Sequence, residues 1–114
     1  MTTNPLFETL IAKNKILVDL IEYQSQAVVS KTLISQNNAT ITLFAFDKGQ
    51  ALSEHSAPFE AIVQIIQGTA EINIAKETKI VSSGEIIILP ADTPHSLKAA
   101  ERFKMMLIMI KNTL

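Results

Sequence analysis

The chain has 114 residues, of which 47% are hydrophobic and 18% charged, and its net charge is −1. This composition predicts one compact domain and excludes a disordered chain, which would carry more charge and fewer apolar residues. The basic residues are scattered and Arg102 is the only arginine, so we expect no cationic surface for a nucleic acid partner.

The chain has no cysteine, which excludes disulfides, thiolate metal sites and cysteine nucleophiles. Its first residues lack the basic start and uninterrupted apolar stretch of a signal peptide. The longest apolar runs are MMLIMI and EIIIL, which are too short to span a bilayer. We therefore expect a cytoplasmic protein without a membrane partner.

One helix is expected near the start of the chain. Asn4 suits the N-cap and Pro5 suits the first helical position. The apolar residues that follow recur at helical spacing: Leu6, Phe7, Leu10 and Ile11. This pattern predicts a helix at about residues 5–13. The next apolar segment, KILVDLI, is short and its register is left open.

Short segments rich in β-branched residues fill the rest of the chain. The predicted strands are AVVSKTLIS, ATITLFAF, AIVQIIQ, AEINIA, KIVS, EIIIL and RFKMMLIMI. Turn sequences separate them: Asn37-Asn38, DKG, KET, Ser83-Gly84 and ADTPH. Many short strands with a single helix predict an all-β sandwich or barrel. No linker or repeat divides the sequence, so one domain over residues 1–114 is expected.

Glycines frame a histidine in the stretch GQALSEHSAPFEAIVQIIQG, residues 49–68. It resembles the first motif of the cupin superfamily, which runs glycine, five residues, His-x-His, three or four residues, glutamate, six residues, glycine. Gly49, His55 and Gly68 fall in register with that motif. Ala57 takes the position of the second histidine, and Ala61 takes the position of the glutamate.

A second stretch is similar to the other cupin motif, which runs glycine, five residues, Pro-x-Gly, two residues, histidine, three residues, asparagine. Gly84, Pro90 and His95 match it in register, whereas Ala99 replaces the asparagine. Asp92 replaces the turn glycine, which is a mild change because aspartate tolerates left-handed backbone.

The resemblance implies a double-stranded β-helix, or jelly roll, with a conserved barrel at about residues 27–111 and a short N-terminal helix. Cupins with a full ligand set hold a divalent metal through three histidines and one glutamate inside the barrel. Here only His55 and His95 keep their motif positions. The metal site that the resemblance implies is therefore a weak one for Zn, Fe, Mn or Ni, or no site at all.

Regular strand alternation places every second residue of the first motif on one inward face. The expected ligand-binding residues are His55, Ala57, Phe59 and Ala61, with His95 from the facing strand. The two alanines enlarge the cavity, and a mostly apolar concavity with a few polar groups is the usual form of a small-molecule site.

Nearby polar residues could complete the site only by leaving that alternation. A bulge at Pro58 would rotate Glu60 inward, but regular alternation points both Glu60 and Glu54 outward. Gln64 interrupts an apolar strand and reaches either the pocket or an interface.

Three functions remain open. The first is a cupin that binds a small organic molecule through a degenerate two-histidine site, with no assigned catalytic residue. The second is a metal-dependent cupin enzyme, of the dioxygenase, isomerase or decarboxylase type, that uses His55 and His95. The third, a regulatory or sensor module, has no further support because no DNA-binding helix pair accompanies the barrel.

The C-terminal strand is apolar on both faces. Phe103, Met105, Leu107 and Met109 alternate with Met106, Ile108 and Ile110. One face fills the barrel, and the other needs cover from the N-terminal helix or from a second subunit. Because cupins commonly pair through such sheets, a homodimer is expected.

Overall fold

A computed structural model of the chain describes residues 5–111. Its elements are the helix α1 (Pro5–Leu10), a 3-10 helix (Leu17–Leu20) and the strands β1 (Val28–Gln36), β2 (Ala39–Phe46), β3 (Ala51–His55), β4 (Ala61–Ile74), β5 (Glu77–Ser82), β6 (Ile86–Leu89), β7 (His95–Lys98) and β8 (Phe103–Ile110). The predicted all-β class is confirmed. No helix in this range is long and apolar enough to cross a membrane.

All strand pairs are antiparallel, and the long strand β4 belongs to two sheets. Its first half pairs with β6 and β8, and β8 continues through β2 to β1; we call these five strands sheet A. Its second half pairs with β5 and β7, and β7 continues to β3; we call this group sheet B. The site lies in sheet B, at the end where β3 and β7 meet.

Gly68 is the point at which β4 passes from sheet A to sheet B. Its φ is +80°, a conformation that residues with a Cβ rarely adopt. A Cβ at this position would lie 2.3 Å from the carbonyl oxygen of Arg102, at the start of β8. The sequence predicts two strands broken at Gly68, but the structure has one bent strand, because the ladders continue on both sides of the glycine.

The barrel interior is filled by alternate residues of both sheets. Phe46 and Phe103 are fully buried and their rings stack with centroids 4.4 Å apart. The remaining buried members of this core are Ala61, Val63, Ile65, Ala70, Ile72, Val81, Leu89, Leu97, Ala99 and Met105. Burial of this apolar surface is the main force that closes the two sheets on each other.

A second, smaller core lies on the outer side of sheet A. Leu43 and Ala45 point outward from β2 and are fully buried there by Ile21, which follows the 3-10 helix. Tyr23 fastens the same segment, since its hydroxyl donates to Gln67 Oε1 at 2.6 Å. The N-terminal segment is therefore part of the packed fold.

The N-terminal helix is shorter than the sequence predicts. It ends at Leu10 instead of residue 13, because Ala12 adopts a left-handed φ of 57° and the chain then runs as exposed coil. Its predicted cap, Asn4, lies outside the described residues. The segment of open register, KILVDLI, contains the 3-10 helix.

Candidate functional site

Two imidazoles face each other where β3 ends and β7 begins. His55 and His95 are paired in the ladder, and their Nε2 atoms lie 3.2 Å apart. The rings meet edge to face with centroids 4.4 Å apart. His95 is 5% exposed, whereas His55 lies on the solvent side. The structure thus brings together the two histidines that keep their motif positions.

Backbone carbonyls determine which nitrogen of each ring is available. Nδ1 of His55 lies 2.8 Å from the carbonyl of Ser53, and Nδ1 of His95 lies 3.2 Å from the carbonyl of Thr93. A carbonyl only accepts, so both Nδ1 atoms carry the hydrogen. In neutral rings the two Nε2 atoms then face each other with lone pairs. The contact is favourable only when a proton, a metal ion or a donor group of a ligand lies between them.

The protein holds His95 toward its neutral form. Burial lowers the pKa of His95, and the nearby charge of His55 lowers it further, while the hydrogen bond to Thr93 acts in the opposite direction. Two positive rings at this distance would repel each other strongly. The arrangement therefore favours at most one charged ring in the pair.

Asp92 fixes the loop between β6 and β7, within the second motif. Its φ is +58°, so aspartate adopts here the left-handed conformation expected for the residue that replaces the motif glycine. Its amide donates to the carbonyl of Ala57 at 2.7 Å. This backbone hydrogen bond joins the segment that carries Ala57 to the segment that carries His95.

The three other expected site residues are not on a regular strand together with His55. β3 ends at His55 and β4 begins at Ala61, so Ala57 and Phe59 lie in the connection, where alternation does not apply. The prediction of one continuous inward face is therefore wrong for this segment, which contains Pro58 and cannot supply a full ladder. Ala57 and Phe59 are half-buried, and Ala61 is buried at the start of β4.

Among the described residues, 5–111, no acidic side chain completes a metal-binding group with the two imidazoles. Glu60 is exposed, and its Oε2 accepts from the amide of Ala91 at 3.3 Å. Its side chain lines a shallow groove of about 370 Å³ on the outer face of sheet A. Glu54 is exposed on β3, and Gln64 lies on the outer side of β4 beside Met106. None of these residues replaces the missing glutamate.

The inner wall also carries a threonine that the sequence pattern does not single out. Thr40 lies on the same side of β2 as Phe44 and Phe46. Its ladder partner is Met109 of β8, and Met109 is in turn the ladder partner of Ala61 of β4. Within residues 5–111 its buried Oγ1 has no hydrogen-bond partner. The alternation of β2 could have shown this inward hydroxyl, but a threonine in a strand is too common to stand out.

The donor set does not match a complete metal site. Two nitrogens bound to one tetrahedral zinc at about 2.05 Å would lie about 3.3 Å apart, which the imidazole pair satisfies. Catalytic zinc sites, however, use three protein ligands. Among residues 5–111 no group of three or more histidine, aspartate or glutamate side chains could hold an ion. The residues fit two ligands of such a site and no more.

Comparison with known proteins identifies the family. The family model of the cupin domain matches residues 42–111, which contain both histidines and most of the barrel. The chain belongs to the cupin family. No curated protein sequence matches it at a significant level.

Solved structures agree with this assignment. A conserved protein of unknown function from Streptococcus pyogenes is 39% identical over 90% of each chain, with a TM-score of 0.86. A cupin superfamily protein from Desulfitobacterium hafniense is 28% identical over 84% of this cupin and 88% of that chain, with a TM-score of 0.81. A cupin 2 conserved barrel domain protein from Leptotrichia buccalis is 37% identical over 82% of this chain and 46% of its own, with a TM-score of 0.80. The predicted jelly-roll barrel is confirmed.

Proposed function

We propose that this cupin binds a small organic molecule inside its barrel, in contact with His55 and His95. The observation that carries the proposal is the pair of Nε2 atoms 3.2 Å apart, each left free because the other ring nitrogen is bound to a carbonyl. Such a pair presents two acceptors to a ligand hydroxyl or N–H group when neutral. With one proton shared between the two Nε2 atoms the pair is a cation that attracts a carboxylate.

The inner wall of sheet A is suited to an organic ligand. Half-buried Phe44, Leu107 and Met109 line the inner wall of sheet A at the edge of the barrel core. Ala61 occupies the position of the motif glutamate, is buried and keeps that wall apolar. Thr40 adds a buried hydroxyl that has no hydrogen-bond partner among residues 5–111. A mostly apolar wall with a few convergent polar groups is the common form of a small-molecule site.

The test is a binding experiment on metal-free protein with known probes. The uniformly ¹⁵N-labelled chain is titrated with a panel of small carboxylic acids, hydroxy acids and sugars, and the imidazole nitrogens are observed by NMR. We expect at least one probe class to shift the Nε2 resonances of both histidines. The variant Ala57→Leu should weaken binding of that probe, whereas Ala51→Leu, which adds the same bulk at an exposed site on β3, should not. If no probe class moves either imidazole, the proposal is wrong.

The alternative function is a metal-dependent cupin enzyme. It is favoured by the hydrogen bonds from both Nδ1 atoms to carbonyls, the arrangement that usually orients histidine ligands of a metal. Zn, Fe, Mn or Ni would then be held by two imidazoles, with water or substrate as the other ligands. Elemental analysis of the purified chain beside the His55→Ala, His95→Ala double variant decides the question. Stoichiometric metal that only the parent chain retains would favour the enzyme, and negligible metal in both would exclude it.

A further inference from the structure

Left-handed backbone is concentrated beside the imidazole pair. Among residues 5–111, five residues other than glycine have a positive φ, and three of them lie in two connections next to His95. Ala75 and Lys76 form the turn between β4 and β5, with φ of 49° and 72°, and Asp92 lies in the loop before β7. Residues with a Cβ keep this conformation only where the surrounding structure holds them in it, and such residues cluster at functional sites.

The turn between β4 and β5 has unfavourable residues for its geometry. Ile74 and Glu77 are ladder partners, so the loop between them has two residues, and a positive φ at both is typical of a type I′ turn. This turn favours Asn-Gly, because asparagine and glycine tolerate left-handed backbone better than other residues. Ala75 and Lys76 lack that tolerance, so the turn has a cost in free energy that other contacts must offset.

One of those contacts is made to the residue before His95. The amide of Ala75 donates to the carbonyl of Pro94 at 3.0 Å. Ile74, next to the turn, is the ladder partner of His95 itself. The tip of the hairpin formed by β4 and β5 therefore lies against the backbone that carries the imidazole of His95.

Pro94 transmits this restraint to the imidazole. Its own carbonyl accepts from Ala75, and the carbonyl of the preceding residue, Thr93, accepts from Nδ1 of His95 at 3.2 Å. Two backbone torsions separate these carbonyls, φ and ψ of Pro94, and the proline ring fixes φ at about −65°. Because the turn holds the carbonyl of Pro94, the carbonyl of Thr93 has only one torsion left in which to move.

The imidazole pair needs such a restraint. In neutral rings both Nε2 atoms carry lone pairs and lie 3.2 Å apart, so they repel each other when nothing lies between them. His95 could relieve this repulsion by carrying its hydrogen on Nε2 and donating to His55, at the loss of the bond to Thr93. The pair would then no longer present two acceptors to a ligand.

We propose that Ala75 is a positioning residue of the site, and that the left-handed turn it forms with Lys76 keeps Nε2 of His95 free for a ligand. The turn acts through Pro94 and Thr93, whose carbonyls accept from Ala75 and from the imidazole. This role deepens the proposed function and rests on it, but its test concerns the tautomer of the protein without ligand. Failure of one is therefore distinguishable from failure of the other.

Imidazole ¹⁵N NMR of metal-free protein at about pH 8.5, where both rings are neutral, measures the tautomers. A fixed tautomer gives each ring two well separated nitrogen signals, whereas exchange between tautomers brings the two signals together. Ala75→Val places a β-branched side chain at a φ that it does not tolerate, so the turn must change. We expect the two signals of His95 to shift toward each other. The signals of His55 should stay apart, because the carbonyl of Ser53 still holds that ring.

A second left-handed alanine provides the matched control. Ala12 has a φ of 57° in exposed coil, so Ala12→Val adds the same backbone strain in another part of the chain. It should leave the nitrogen signals of both rings unchanged. Ala75→Asn, which suits the left-handed turn, should also leave them unchanged.

An insertion variant keeps the test valid if Ala75→Val does not fold. One glycine inserted between Ala75 and Lys76 lengthens the loop to three residues and displaces the amide that binds Pro94, so the signals of His95 should again shift together. Well separated His95 signals in both Ala75→Val and the insertion variant would overturn the proposal. Merged signals in Ala12→Val or in Ala75→Asn would overturn it as well.

Discussion

At the scale of single residues, the chemistry of the site depends on hydrogen bonds made away from it. The carbonyls of Ser53 and Thr93 fix one nitrogen of each imidazole, and this leaves the other two nitrogens directed at each other. A histidine without such a partner would exchange tautomers and could hold its own donor toward its neighbour. The pair is therefore set up to receive one cation or one donor group.

The lowered pKa of His95 predicts a loss of stability in mild acid. The ordinary value is 6.5, and burial together with the charge of His55 moves the pKa of the folded state below it. Between these two values the unfolded chain binds more protons, so the free energy of unfolding rises with pH. This contribution is complete above about pH 6.5 and is lost as the pH falls toward the lower value, at no more than about 1.4 kcal/mol per pH unit.

Urea unfolding of metal-free protein between about pH 7.5 and about pH 5 measures this effect. The control is His95→Gln, which retains all other titrating groups. We expect the unfolding free energy of the parent minus that of the variant to decrease as the pH falls. A difference that is constant or that grows in acid would contradict the assigned direction of the pKa shift.

At the scale of elements, the bend of β4 is the feature that joins the two sheets. Gly68 allows it because the neighbouring backbone at Arg102 occupies the space of a Cβ. Gly84 has a similar φ of +87°, but a Cβ there would have nothing within 4 Å. A side chain at Gly84 would therefore have only the conformational cost of a positive φ. A side chain at Gly68 would have that cost and a steric clash as well.

Substitution of these glycines by alanine should give unequal losses of stability. Gly84→Ala carries only the cost of a left-handed residue, about 1–2 kcal/mol. Gly68→Ala adds a clash with backbone that cannot move without displacing β8, so its loss should be larger by about 1–3 kcal/mol. Chemical denaturation at one pH measures both. Equal losses in the two variants would show that the chain relaxes at Arg102 and that the bend does not need this glycine.

The segment before β1 stabilises the fold through one buried isoleucine. Ile21 is fully buried against sheet A, whereas Ile16 in the preceding coil is 68% exposed. Ile21→Ala should lower the free energy of unfolding by about 2–5 kcal/mol, and Ile16→Ala by less than about 0.5 kcal/mol. Urea titrations followed by circular dichroism measure both. A similar small effect in the two variants would mean that this segment contributes little to the fold.

At the scale of the whole molecule, the sequence predicts the fold better than it predicts the site. Alternation in ATITLFAF is regular, and β2 (Ala39–Phe46) has those bounds because both of its faces are packed. The positions of His55 and His95 follow from motif spacing alone. The single inward face expected for residues 55–61 is absent, because β3 ends at His55 and β4 begins only at Ala61. A strand past Pro58 would need a ladder partner, and the sequence alone does not show whether one exists. The sequence also does not show that isoleucines from five strands of sheet A form one row, because only the register aligns them: Ile88, Ile62, Ile108, Ile41 and Ile34.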